Sequence, residues 1–332
     1  MAIAIPADRA DPTCGVPLVP LVRYWAPRWW PVWIGFALIR ALALLPWRIQ
    51  TALARSVGGL AWYLARRDRR ITLINLRLAY PGWDERRRRK LAREHFVSLA
   101  YGVLETGLVW FGGAARLARR ARLEGREHLE RVLAAGRGAL LLGGHFTTNE
   151  IAAAVLPDSG HYVDIMYKAA SNELVNQLML RRRTASGNAR LVPNDQFKEL
   201  LKTLKAGGIA LYAPDQRYDA QGYVIVPLFG VPALSNPGTT FIARATRCAV
   251  LPYFPLRAPD GQSYIMTIGA PLEDFPSGDG ARDVARYYAL IEAAVARAPA
   301  QYLWSYKRYR PLPGEPDPYR GGALRGTPSE PA

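Results

Sequence analysis

The stretch Gly138-Ala139-Leu140-Leu141-Leu142-Gly143-Gly144-His145-Phe146-Thr147-Thr148-Asn149-Glu150 governs the reading of the whole chain. Gly138 to Leu142 is a short apolar run of the kind that forms a buried strand. Two glycines follow, and glycines let a ligand approach the backbone. His145 comes next, ahead of a helical pattern over Thr148–Leu156. A base therefore stands at a strand end, with the Glu150 carboxylate in the first turn of the next helix. Positions five apart on one helix are rotated by roughly 140°, so the two side chains meet only if His145 precedes the helix. An imidazole with a carboxylate behind it suits a hydroxyl that must lose a proton as it attacks a thioester. The same letters also allow Thr147 as an N-cap with Glu150 closing a Thr-x-x-Glu capping box. The glycine pair favours the functional reading.

Outward from this stretch, short β-like runs alternate with helical ones. Strands are expected at Gly138–Leu142, Tyr162–Tyr167, Arg190–Val192, Ile209–Ala213, Ala249–Leu256 and Tyr264–Ile268. Helices are expected at Thr148–Leu156, Asn172–Thr184, Gln196–Lys205, Pro237–Thr246 and Arg282–Ala298. This alternation predicts an α/β fold, a mixed sheet covered by helices. The texture begins near residue 121, so residues 121–313 read as the α/β domain. Residues 1–22 read as a loose leader and 314–332 as a flexible Pro/Gly-rich tail.

Residues 23–120 have another character. Tyr24-Trp25-Ala26-Pro27-Arg28-Trp29-Trp30-Pro31 mixes aromatic and basic residues, as segments at the water–lipid boundary do. The apolar run Val32–Pro46 is broken by Arg40 and is shorter than the roughly 20 residues of a comfortable bilayer span. A partly inserted or interfacial helix is expected ahead of a full span, with a buried core helix as the other reading, and with Trp25, Trp29, Trp30 and Trp33 at the boundary. A second helix is expected over Ile49–Ala65, ending in Arg66-Arg67-Asp68-Arg69-Arg70, and a third from Glu85 to about Phe111. Their basic runs suit solvated faces or anionic headgroups.

Of the 332 residues, 44 are Lys or Arg and 27 are Asp or Glu, a formal net charge of +17. This points to an anionic partner. Nine tryptophans and the apolar-basic segments favour a membrane surface, and no zinc-finger or RNP-type motif argues for nucleic acid. Cys14 and Cys248 offer no disulfide framework, which suits a reducing compartment. There is no phosphate-binding glycine loop, zinc motif or dinucleotide fingerprint, so no cofactor is implied. His95, His128 and His161 lack metal-type partners and read as structural or surface residues.

An ordered set of motifs resembles the late acyltransferases of lipid A biosynthesis, the lauroyl/myristoyl group, within the lysophospholipid/glycerolipid acyltransferase superfamily. It runs from Ala26-Pro27-Arg28-Trp29-Trp30 through Asn75-Leu76-Arg77-Leu78-Ala79-Tyr80-Pro81, Leu104-Glu105-Thr106-Gly107 and Trp110. It continues with Gly144-His145-Phe146 to Glu150, Tyr212-Ala213-Pro214-Asp215-Gln216, Val226-Pro227-Leu228-Phe229-Gly230 and Gln301-Tyr302-Leu303-Trp304. The likeness spans roughly residues 25–313. It implies an enzyme on the cytoplasmic face of the inner membrane. The enzyme would move a fatty acyl chain from acyl carrier protein to a hydroxyl of an anionic lipid A precursor. Another lipid acceptor, acyl-CoA as donor, and a non-catalytic protein binding anionic lipid are the alternatives. Two positions depart from the family pattern: Tyr306 stands where a histidine is frequent, and Asn149 where a tryptophan is frequent.

The resemblance implies catalysis by His145 and Glu150, and it draws in three further residues. Arg183, with Arg182 beside it, would approach an acceptor phosphate or a developing oxyanion, or else be a solvated helix end. Lys168 would contact a phosphate or the carrier protein, or else be a surface lysine. Asp215 follows the Ile209–Ala213 strand, where open α/β sheets place site residues. It would orient a basic side chain or hold a sugar hydroxyl, or else be a turn aspartate. Trp304 is expected to pack the core.

Overall fold

In the computed structural model, residues 11–112, 117, 119–158, 160–218 and 220–320 are described. Four helices come first: α1 (Trp30–Leu44), α2 (Trp47–Leu64), α3 (Arg66–Ala79) and α4 (Glu85–Phe111). Then follow β1 (Ala121–Glu124), α5 (Arg126–Ala134), β2 (Ala139–Leu142), α6 (Asn149–Asp158), β3 (Val163–Tyr167) and α7 (Glu173–Arg183). The chain continues through β4 (Ala189–Pro193), α8 (Phe197–Lys205), β5 (Ile209–Tyr212), β6 (Val224–Leu228) and β7 (Val231–Ser235). It closes with α9 (Gly238–Thr246), β8 (Ala249–Arg257), β9 (Tyr264–Ile268) and α10 (Gly280–Arg297).

Seven strands form one sheet in the order β1-β9-β8-β2-β5-β3-β4. All neighbours are parallel except β8 and β9, so the expected mixed sheet is present. β2 is central and buried throughout, as a parallel strand covered on both faces must be. Its side chains alternate between two cores. Leu140 and Leu142 pack with residues of α3, α4, α8, α9 and α10. Ala139 and Leu141 pack with residues of α5, α6 and α7. Trp304 is buried in the first of these cores, as expected.

Several elements differ from the expectation. The Arg66–Arg70 run starts a helix instead of ending one, because Ile71, Ile74 and Leu78 recur at helical spacing and bury one face of α3. Asn75 on that helix donates to the carbonyls of Trp304 (2.6 Å) and Tyr306 (2.7 Å). Its own carbonyl oxygen accepts from Tyr319 Oη (2.5 Å). The start of the segment expected to be a tail is thus tied down, while residues 321–332 lie outside the described residues. The leader is likewise strapped to the sheet: Leu191 donates to Pro12 O (2.9 Å) and Val19 to Gln177 Oε1 (2.9 Å). Residues 1–10 lie outside the described residues. The hairpin β6–β7 turns through Phe229 and Gly230, both at positive φ (53° and 74°), as a type I′ turn requires.

Beneath the site, α4 is locked to β8 by a buried ion pair. Arg257 Nε and Nη2 donate to the two oxygens of Glu105 at 2.5 and 2.7 Å, and Nη1 donates to Ser98 Oγ. Burial opposes the Arg257 charge, but the Glu105 carboxylate outweighs that and raises its pKa. Glu105→Ala leaves a buried guanidinium unpaired and is expected to cost about 3–5 kcal/mol. Urea unfolding of Glu105→Ala against a Glu105→Leu/Arg257→Met double variant checks this: the double variant should recover most of the loss.

Candidate active site

β2 and β5 are adjacent in the sheet, with Leu142 opposite Tyr212. Both strands end at one edge, and each delivers a functional residue three positions later: His145 after Leu142, Asp215 after Tyr212. The strand exit is held in place. Gly143 donates to Tyr212 O (2.9 Å), and the Gly143 carbonyl accepts from Tyr287 of α10. Space is tight at Gly144, where an added Cβ would lie 3.2 Å from the Phe146 ring and 3.4 Å from Asp215 Oδ2.

Asp215, 1% exposed, clamps His145 twice. Oδ1 accepts from the ring Nδ1 at 2.5 Å, and Oδ2 accepts from the His145 backbone N–H at 2.9 Å. One rigid carboxylate thus fixes both the main chain and the ring. It also fixes the tautomer, since the proton shared with Asp215 sits on Nδ1 and Nε2 is left as the basic nitrogen. Burial alone would lower the imidazole pKa, but the charge and hydrogen bond of Asp215 overcome it and the net direction is up. Burial would raise the Asp215 pKa, and the His145 contacts, aided by the Arg308 charge, bring it down instead. The pair favours the ionised acid beside a proton-accepting base.

Glu150 is not that acid, which corrects the expected His145–Glu150 contact. Glu150 lies in the first turn of α6, and His145 does precede the helix. Both Glu150 oxygens instead accept from Arg183 at the end of α7, and Oε2 also accepts from Trp110 Nε1 at 3.0 Å. No capping box forms either. Thr147 Oγ1 is bonded to Ser98 Oγ (2.7 Å), and Phe146 N donates to Asn149 Oδ1 (3.2 Å). The physical reason is competition: a guanidinium fork matches a carboxylate in two bonds, which a backbone N–H or one ring nitrogen does not.

His145 opens onto a cavity of 610 Å³ whose walls include Lys168, Asn194, Arg217, Tyr218 and Phe241. Lys168, read from the sequence as a contact for a phosphate or the carrier protein or else a surface lysine, therefore shares a space with His145. Glu150 and Arg183 line a second cavity of 390 Å³, which His145 does not border. Trp110 connects that cavity to the N-terminal helices, since it stacks on Phe36 of α1 at 5.6 Å. Among the described residues, no group of three or more His, Cys, Asp and Glu side chains is placed to hold a metal ion. His95 is fully buried, its Nδ1 against Ala300 O (3.0 Å), and burial pushes its pKa down to about 4.

Tyr287, the brace on Gly143, is the residue that sequence reasoning missed. It lies in an amphipathic helix, where a buried tyrosine looks like ordinary core. Burial, with the nearby Asp215 charge, keeps its pKa well above 10, so it remains a donor.

Comparison with known proteins gives consistent results. The profile of the bacterial lipid A biosynthesis acyltransferases matches residues 21–311. A lipid A biosynthesis lauroyltransferase of Escherichia coli K12 is 33% identical over 295 residues, 88% of this chain and 96% of that one. The palmitoleoyltransferase of lipid A biosynthesis from the same strain is 29% identical over 290 residues, 86% of this chain and 93% of its own. The corresponding myristoyltransferase is 25% identical over 297 residues, 89% and 91% of the two chains.

Proposed function

The chain belongs to the bacterial lipid A biosynthesis acyltransferase family and is an acyltransferase, and from that premise we propose that it transfers a fatty acyl group from acyl carrier protein to a hydroxyl of a lipid A precursor. The observation that carries the chemistry is the His145–Asp215 pair beside the larger cavity. His145 Nε2 removes the proton from the acceptor hydroxyl as that oxygen attacks the thioester carbonyl. The tetrahedral intermediate collapses, the C–S bond breaks, and the imidazolium returns its proton to the departing thiolate. Asp215 stabilises the imidazolium while it lasts, as the acid of a triad does. Lys168 brings a cation to the cavity for an acceptor phosphate. Glu150 holds Arg183 in place beside the loop that carries His145.

The acyl chain length stays open in this reading, because relatives with similar sequences carry lauroyl, palmitoleoyl and myristoyl in their names. Purified enzyme with acyl carrier protein thioesters of graded length and a lipid A precursor should give a product heavier by one acyl group, read by mass spectrometry. A product formed only from acyl-CoA would replace the donor. No product with either donor would overturn the acceptor.

The place of action in this proposal is the cytoplasmic face of the inner membrane, with residues 23–120 contacting lipid and 121–313 carrying the chemistry. Among the described residues, no helix is long and apolar enough to cross a membrane. α1 instead leaves a stripe of Trp30, Ile34, Leu38 and Leu44 exposed, beside Trp25 and the exposed Val57, Leu60 and Leu64 of α2. This is how a helix lying in an interface behaves. Trp29 and Trp33 pack inward, so of the four boundary tryptophans only Trp25 and Trp30 remain for lipid. High salt screens the charged contribution only. It should therefore extract part of the wild-type protein from membranes and most of an Ile34→Ser/Leu38→Ser variant. Complete extraction of the wild type by salt would sink the apolar contact.

A further inference from the structure

A second buried charge stands behind the catalytic pair. Arg308, only 4% exposed, lies in the segment that follows Trp304. Its Nη1 donates to Leu234 O (3.0 Å), and its Nη2 donates to Ser235 Oγ (3.2 Å) and Tyr288 Oη (2.5 Å). All three acceptors are neutral. Among the described residues its Nε has no hydrogen-bond partner, and no carboxylate lies within ion-pair distance of the guanidinium. A buried cation held by neutral oxygens alone is unfavourable without a counter-charge nearby. Asp215 is the buried anion in reach: its own hydrogen bonds both go to His145, and the Arg308 charge acts on it.

The fold brings the two charges together along two routes. The segment carrying Arg308 runs beside the His145 loop, where Leu303 N donates to His145 O (3.0 Å) and Thr147 N donates to Gln301 O (2.8 Å). The chain leaving Asp215 returns to β7, where Tyr218 N donates to Leu234 O (3.4 Å), the same carbonyl that accepts from Arg308. Tyr287, the brace on Gly143, and Tyr288, bonded to Arg308, are neighbours on α10 with rings 5.6 Å apart. The other titratable groups here are phenols. Tyr287, Tyr288 and Tyr302 face Asp215, Tyr309 faces Arg308 and Tyr212 faces Tyr287, and burial raises the pKa of each, so all stay neutral. From the cavity side His145 meets Tyr218, the exposed Lys168 and the half-buried Arg217, whose charges solvent screens.

Charge balance sets the consequence. With a neutral imidazole, Arg308 and Asp215 cancel, and protonating His145 puts a net positive charge in a buried site, which burial resists. Without Arg308 the balance inverts. A neutral imidazole would leave Asp215 as a lone buried anion, and an imidazolium would cancel it. The base would then hold a proton at the pH where it must accept one.

We propose that Arg308 is a positioning residue of the acyl-transfer site: its buried charge balances Asp215, so that His145 stays a free base near neutral pH. The inference rests on the reading of His145 and Asp215 as the catalytic pair, but its test needs no turnover. Full-length protein with ring-labelled histidine is titrated by NMR in detergent micelles, and the His145 resonance is identified by its loss in His145→Asn. In Arg308→Gln the His145 ring should titrate about one pH unit or more above the wild type, the size of shift that a nearby charge produces. Arg308→Lys keeps the charge and should titrate near the wild type. In an acyl-transfer assay Arg308→Gln should be about tenfold slower than the wild type below both acid limbs, as a shift of one unit requires. The two rates should converge as pH rises, a recovery that lost packing alone does not give. A shifted titration without any acyl transfer would count against the reaction and not against the charge balance. An unchanged or lowered titration in Arg308→Gln, or Arg308→Lys titrating like Arg308→Gln, would overturn the inference. Should Arg308→Gln fold too poorly to titrate, thermal unfolding of Asp215→Asn/Arg308→Gln decides. Removing both charges should recover most of the melting temperature that the single variant loses, whereas additive losses would overturn the balance.

Discussion

Acyl transfer by His145→Ala should fall by on the order of 10⁴-fold in kcat, the upper end of what a positioned general base supplies. The variant has no other group within the Asp215 clamp that could take the hydroxyl proton. Its stability should change far less than its activity, yet not by zero. Asp215 is fully buried and would keep only the backbone N–H of residue 145 as a partner from this pair. Leaving a buried acceptor short of a donor costs about 1–3 kcal/mol, more for a charged group. His145→Asn restores a donor toward Asp215 without a usable base. It should match the alanine variant in turnover and approach the wild type in melting temperature. Turnover of either variant within tenfold of the wild type, under conditions where the chemical step limits, would remove His145 from the mechanism.

What the sequence made legible, and what it did not, divides by distance along the chain. The strand–Gly–Gly–His–helix order is local, and the β2–loop–α6 unit follows it closely. Each expected strand and helix of residues 121–313 has its counterpart. β1, α5 and the hairpin β6–β7 were not anticipated; β1 gains its strand character only from pairing with β9. α3 escaped because five charges in a row look like an ending, whereas its apolar residues begin immediately after. Asp215 was read as a residue that could orient a basic side chain, but its pairing with His145 was not anticipated. Glu150 was favoured for being five residues away; Asp215 is seventy residues away and comes close only because β5 lies beside β2. A histidine and an aspartate each three residues beyond a buried strand was the available signal. It decides nothing until strand order is known, and strand order is a long-range property of the sheet. The same holds for Arg183, which stands near Glu150 because α7 ends against α6.

Asp215→Asn and Glu150→Gln separate the two carboxylates. Asparagine at 215 can keep a contact with the ring, but it presents an amide where a carboxylate stood, and it no longer fixes the proton on Nδ1. The comparable change in a serine protease triad lowers kcat about 10⁴-fold, and a loss of about 10³–10⁴-fold is expected here. The pH profile gives the sharper reading. The base works when His145 is neutral, so the rate falls as pH drops through its pKa. In the wild type Asp215 raises that pKa above the ordinary 6.5, so the acid limb should lie above pH 6.5. Without the carboxylate, burial is left to lower the pKa, so the residual activity should retain its acid limb at lower pH. Glu150→Gln removes a charge from Arg183 and not from His145. It should leave the acid limb where it is while turnover falls through disorder of Arg183 and the loop beside it. If the limb moves with Glu150→Gln and stays put with Asp215→Asn, the roles are reversed and the arrangement of His145 during turnover differs from the one described.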